Sequence, residues 1–183
     1  YLRCAIYAIL IIVRSIEKTG AKHMRLLLAE DELALTSGTY TITAAGQGLS
    51  GKNSVRIADG TYQITAGKDA VHAENTDDAT KGFIYIAGGT FAAQADGDGI
   101  SASAEIQIDA GDFSITTGEG RASVKTEHMS DPRQQEQTET EDTDSTSQKG
   151  IKSGTALTIN GGTFVTDTAD DSMHAGRTMT CPS

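Results

Sequence analysis

Val55-Arg56-Ile57-Ala58-Asp59-Gly60-Thr61-Tyr62-Gln63-Ile64 is the stretch that decides the fold, because its pattern returns along the chain. Its signature of glycine, a small polar residue and an aromatic stands at Gly38-Thr39-Tyr40, Gly60-Thr61-Tyr62, Gly89-Thr90-Phe91, Gly111-Asp112-Phe113 and Gly162-Thr163-Phe164. The glycines are separated by 22, 29, 22 and 51 residues. A fixed coil of 22 residues interrupted by two insertions accounts for all four intervals.

The columns around the signature agree with this reading. Leu33, Val55, Ile84, Ile106 and Leu157 precede it, followed two positions on by Leu35, Ile57, Ile86, Ile108 and Ile159. The aromatics form a third column, and Ile42, Ile64, Ala93, Ile115 and Thr166 a fourth. Alternation with period two predicts strands with one buried face. A glycine between two such strands supplies a bend that a β-branched residue resists. A third short strand follows, with Leu49, Val71, Ile100 and Met173 inward. Ile151 completes that column in preference to Ala122, because it precedes Leu157 by the interval that separates Ile100 from Ile106. A unit of this kind buries its apolar side only against the units above and below it.

The expectation is therefore an all-β chain, a single-stranded right-handed parallel β-helix of about five coils with a short N-terminal apolar helix. Residues 1–24 form the apolar N-terminal segment, and the solenoid occupies 25–183 with its C-terminal end truncated. Arg177 to Ser183 gives no further strand in this reading. The long insertion is expected to be an acidic, disordered loop at about 119–148, where almost nothing is apolar between Lys125 and Lys149. The shorter insertion, Glu74 to Lys81, contains Asp77 and Asp78. The apolar run from Leu2 to Val13 is shorter than the roughly 20 residues a spanning helix takes. It also has no clear signal-peptide cleavage site.

Fifteen Lys and Arg against 25 Asp and Glu leave a net charge of −10, which argues against nucleic acid or an anionic membrane as a direct partner. Cys4 and Cys181 lie at opposite ends and define no disulfide framework.

At Lys149-Gly150-Ile151-Lys152-Ser153-Gly154-Thr155-Ala156-Leu157-Thr158-Ile159-Asn160-Gly161-Gly162-Thr163-Phe164 the chain resembles a known family. Ala169-Asp170-Asp171-Ser172-Met173-His174 and Asp98-Gly99-Ile100-Ser101 share the likeness. The family is the bacterial carbohydrate-binding β-helix group first described from a cellulolytic clostridium, and residues 33–176 are similar to it. The resemblance implies a pectate-lyase-like fold and a non-catalytic, calcium-containing module. It further implies binding to cellulose or polygalacturonate, outside the cell or at its surface. Separately, Met24 to Glu32 resembles the opening of a response-regulator receiver domain, in which the acidic pair here at Glu30-Asp31 helps bind magnesium. The solenoid register, continued through Leu27 and Ala29, is the preferred reading of that segment.

Candidate chemistry falls on two outward columns. The first is Gln47, Asp69, Asp98, Lys149 and Asp171, two residues before the third-strand hydrophobe. Asp69 and Asp98 fall on adjacent coils about 4.8 Å apart, so their charges must be screened, protonated or bridged. Two readings stand side by side. One is a salt-bridged surface ladder. The other is a Ca²⁺ site from Asp69, Asp98 and Asp96, joined by Asp77 or Asp78, with a second candidate at Asp170 and Asp171 beside Asp167. His72 and His174 are expected to be solvated, three coils apart.

The other column is Ala34, Arg56, Tyr85, Gln107 and Thr158 on the main strand. There Arg56, Tyr85 and Gln107 are the candidate sugar-binding residues, by stacking and hydrogen bonding. A ladder of outward threonines, Thr43, Thr65 and Thr116, reflects strand propensity. Three function classes follow: calcium-dependent binding of a plant cell-wall or acidic polysaccharide, a polysaccharide lyase, and a structural or adhesin-type solenoid. The lyase needs a base beside a metal and acid cluster, and Arg56, Lys68 and Lys152 are the candidates.

Overall fold

The computed structural model describes residues 28–29, 31–120 and 147–181. The N-terminal helix expected within 1–24 and most of the acidic loop, 121–146, lie outside the described residues. What is described is all-β, with three sheets whose strands pair only in parallel. The chain visits the sheets in turn and returns to the first, so each sheet holds every third strand. This topology is consistent with a parallel β-solenoid.

The first sheet is built from Leu28–Ala29, Leu49–Gly51, Val71–Ala73, Ile100–Ala102, Ile151–Ser153 and Met173–Ala175. The second holds Glu32–Leu35, Ser54–Ile57, Phe83–Ile86, Ile106–Ile108, Ala156–Ile159 and Thr178–Thr180. The third has the longest strands, Thr39–Ala44, Thr61–Ala66, Thr90–Ala95, Asp112–Thr117 and Thr163–Thr168.

The register repeats the spacing read from the sequence. Tyr40 faces Tyr62, Tyr62 faces Phe91, Phe91 faces Phe113 and Phe113 faces Phe164. Ile100 pairs with Ile151, which places the long insertion where the column argument puts it. Ala29 pairs with Gly51, so the solenoid register, not a receiver-like start, describes that short strand. One expectation is corrected at the other end. Thr178–Thr180 does form a strand, pairing Met179 with Leu157. It was missed because all three of its residues are exposed and show no buried alternation.

The interior is a set of continuous columns. Val55, Ile57, Ile86, Ile108, Ile151 and Leu157 are wholly buried. The aromatic column is a stack of five nearly parallel rings with centroids 5.1, 4.7, 4.8 and 4.7 Å apart. That interval is the backbone spacing between paired strands, which sets the ring separation and leaves little room for edge-to-face geometry. Tyr62 is buried because its hydroxyl donates to the carbonyl of Asp59 at 2.9 Å, and burial pushes its pKa up to about 12. At the bend before it, Gly60 has φ of +136°, and a Cβ there would lie 2.9 Å from the carbonyl oxygen of Gly38. Both the conformation and the closeness of the preceding strand demand glycine.

The shorter insertion is tied down by side chains. Asn75 donates to Asn53 Oδ1 at 2.7 Å, and Asn53 donates to Asp31 Oδ1 at 3.1 Å. Asn75 Oδ1 accepts the amides of Asp77 and Asp78, turning the chain outward.

Candidate functional site

The second sheet brings Arg56, Tyr85 and Gln107 side by side on three successive strands, with Thr158 next in line. Each lies between two buried residues of its strand, so the inward packing of Ile57, Ile86 and Ile108 aims the three polar groups outward. The guanidinium of Arg56 sits 5.0 Å from the ring centre of Phe83, which fixes a flexible side chain against an aromatic face. Arg56, Phe83, Tyr85, Glu105 and Gln107 line a shallow groove of about 220 Å³.

The organising residue of this face is one the sequence reading missed. Asp109 Oδ2 accepts the Tyr85 hydroxyl at 2.6 Å, and Oδ1 accepts the side-chain amides of Gln107 and Asn160, each at 2.8 Å. These three hydrogen bonds hold the Asp109 carboxyl below the ordinary carboxylate range, and the same bond pushes the Tyr85 phenol upward. A planar guanidinium, a phenol, two amides and a carboxylate are thereby held across neighbouring strands. A column count would have found the hub, because Asp109 and Asn160 each follow the second inward residue of their strand, Ile108 and Ile159.

The acidic column is arranged differently from the sequence expectation. Asp98, expected on the outside, is buried at 2% exposure. The chain there is a bend between strands, where period-two alternation no longer applies. Asp98 Oδ1 accepts the backbone N–H of Lys149 at 2.8 Å, and Oδ2 lies 3.3 Å from the Lys152 ammonium. Asp69 repeats the pattern. Its Oδ1 accepts the N–H of Asp98 at 2.8 Å, and its Oδ2 meets His72 Nδ1 at 2.6 Å. Lys149 pairs with Asp170, while Asp171 stands 3.9 Å from His174 and 4.0 Å from Lys149. Asp96 is exposed beside the column.

Calcium takes six to eight oxygens, and Asp69 and Asp98 together carry four carboxylate oxygens. All four carboxylate oxygens of Asp69 and Asp98 already have protein partners, and an ammonium stands among Asp170 and Asp171. Among the described residues no three His, Cys, Asp or Glu side chains gather as a metal-holding group.

His72 is a further correction, since it is half-buried between Asp69 and Glu74 instead of simply solvated. Burial pushes its pKa down, but the Asp69 carboxylate, helped by Glu74, outweighs burial and leaves it above the ordinary 6.5. A raised pKa in the folded state contributes stability that is complete below the unfolded value. That contribution is lost as pH rises through the folded value. The melting temperature is therefore expected to fall between about pH 6 and pH 8 by more in the wild type than in His72→Gln. Thermal melts of both proteins across that range check this, and parallel curves would remove His72 from the balance.

Arg56 stands on the second sheet and Lys152, paired with Asp98, on the first. What the described residues present is three sheets of parallel strands with an aromatic and polar groove on an outward face of the second. The family model described as carbohydrate-binding domain-containing protein matches residues 20–182, and the chain belongs to that family. Neither the curated proteins nor the solved structures returned a match.

Proposed function

We propose that the protein is a non-catalytic module that binds a plant cell-wall polysaccharide along the outward face of its second sheet, with Arg56, Tyr85 and Gln107 in contact with the sugar. One observation carries the reading: in a chain of a carbohydrate-binding family, these three side chains stand on successive strands and Asp109 orients two of them. Amide and guanidinium groups match sugar hydroxyls, and the tyrosine ring offers a face to the apolar side of a pyranose. The groove, at about 220 Å³, is smaller than the roughly 300–1,000 Å³ of sites that engulf a small ligand. A surface chain laid across the strands, over about 10 Å from Arg56 to Gln107, suits it better.

The fold belonging to this reading is a right-handed β-helix of about five coils, and its setting is outside the cell or on its surface. Calcium dependence, expected from the resemblance, is not required by the binding step proposed here, because the sugar contacts lie on the second sheet and the carboxylate oxygens of Asp69 and Asp98 meet protein partners. An acidic polymer would meet Arg56 but also Glu105 and a net charge of −10, so a neutral glucan is favoured over polygalacturonate.

Affinity electrophoresis in gels containing a soluble β-glucan or polygalacturonate tests the proposal. Retardation of the wild type by the glucan is expected, with affinity about tenfold weaker in Arg56→Ala and in Tyr85→Ala. Arg56 is exposed and Tyr85 half-buried with a hydrogen bond to Asp109, so Arg56→Ala should melt close to the wild type and Tyr85→Ala lower by about one hydrogen bond's worth, with its fold kept. Equal retardation of all three proteins would move the sugar off this face. Release of unsaturated uronides from polygalacturonate would replace the module by a lyase.

A further inference from the structure

The acidic column is the feature that sugar binding leaves unexplained, and its arrangement is regular. Each buried or half-buried aspartate uses one oxygen to accept the amide of the next coil and the other to meet a basic side chain. Asp69 does this with the N–H of Asp98 and with His72, and Asp98 with the N–H of Lys149 and with Lys152. His72 lies three residues after Asp69 on its own coil. Asp98 has Ser101 at that place, and its cation comes instead from the paired position on the next strand, Lys152. On the coil after Asp98 the column itself changes sign, to Lys149, whose ammonium engages Asp170.

Two carboxylates on adjacent coils, one of them almost wholly buried, need compensating positive charge. The alternatives are a bound divalent ion, protonation, or fixed cations from the chain. We propose that this chain has adopted the third: Lys152 is the built-in counter-cation of Asp98, and the edge of the first sheet is held together without calcium. The geometry favours it because the two oxygens of Asp98 are divided between a backbone amide and the ammonium, so the charge is both neutralised and used to join successive coils. Lys152 keeps 40% of its side chain exposed, which lets the ammonium stay hydrated while it reaches the buried carboxylate. This inference rests on the column alone and stands or falls independently of where sugar binds.

Thermal melts of the wild type, Lys152→Met and the double variant Lys152→Met with Asp98→Asn test it, each in EDTA and in millimolar calcium chloride. Methionine keeps the aliphatic stem and removes the charge. The wild type is expected to melt at the same temperature in both buffers. Lys152→Met should melt about 5 °C lower in EDTA, and the double variant should recover most of that loss because the unpaired charge is gone. A wild type that calcium stabilises and EDTA destabilises would overturn the inference. So would a Lys152→Met protein that melts like the wild type, or a double variant that recovers nothing.

Discussion

Ile108→Asp is expected to abolish the native fold of the coils on either side of it. Ile108 is wholly buried, and its strand neighbours in the same column, Ile86 and Ile159, are also buried. The substitution removes a packed aliphatic side chain and puts a carboxylate where no cation or donor can reach it. The lost packing and the desolvated polar group together cost at least about 4 kcal/mol, against a total stability of roughly 5–15 kcal/mol for a domain. Because each coil leans only on its neighbours, the damage starts locally and propagates along the stack. Circular dichroism should show lost strand signal, or a melting temperature lower by about 10 °C or more. An unchanged melt would mean that the column register is wrong at its centre.

The second large effect is expected at the aromatic stack. Phe113 is buried and lies between Phe91 at 4.8 Å and Phe164 at 4.7 Å, its ring within 5° of parallel to both. Phe113→Ala removes both ring contacts and opens a cavity that the rigid strand spacing cannot close, so a loss of about 3–5 kcal/mol is expected. Phe113→Leu keeps much of the volume and should lose clearly less. Chemical denaturation of both variants measures the difference. Equal, small losses would show that the column is loosely packed and that ring stacking contributes little.

The fold was legible because its information is repeated. A single strand such as Ile106–Ile108 is too short to identify by itself. Five copies of the same inward pair, on a 22-residue coil with two insertions, leave little freedom, and Ile151 could be assigned across a long insertion for that reason. The repeat carries no such information at the corners. Asp98 was placed outside by counting along a strand, yet it sits in a bend whose backbone turns its side chain inward beneath Lys152. The last strand, Thr178–Thr180, escaped because it has lost the apolar alternation that marks the others.

The candidate site was legible in part for the same reason. Arg56, Tyr85 and Gln107 share a column, so the repeat alone sets them side by side. Asp109 was not found because its partners lie 24, 2 and 51 residues away in the chain and it reads locally as a turn residue. Phe83 was missed likewise. It occupies the strand start that is Ser54 on the preceding coil, and nothing in that column announces an aromatic seat for Arg56. Basic partners for the acidic column were half visible, since the three-residue offset between Asp69 and His72 recurs at Asp171 and His174 but not at Asp98.

The claim that sugar lies on the outward face of the second sheet is tested most directly by an amide-resolved NMR titration of the whole protein with cello-oligosaccharides. The side-chain amide of Gln107, the guanidinium of Arg56 and the ring of Tyr85 line the groove, and the Asn160 amide reports on it through Asp109. Perturbations are expected to cluster on these groups and on the backbone of Phe83–Ile86 and Ile106–Ile108, leaving the third-sheet threonines Thr43, Thr65 and Thr116 unmoved. Perturbations confined to those threonines or to the acidic column, with Gln107 and Asn160 unchanged at saturating ligand, would contradict it.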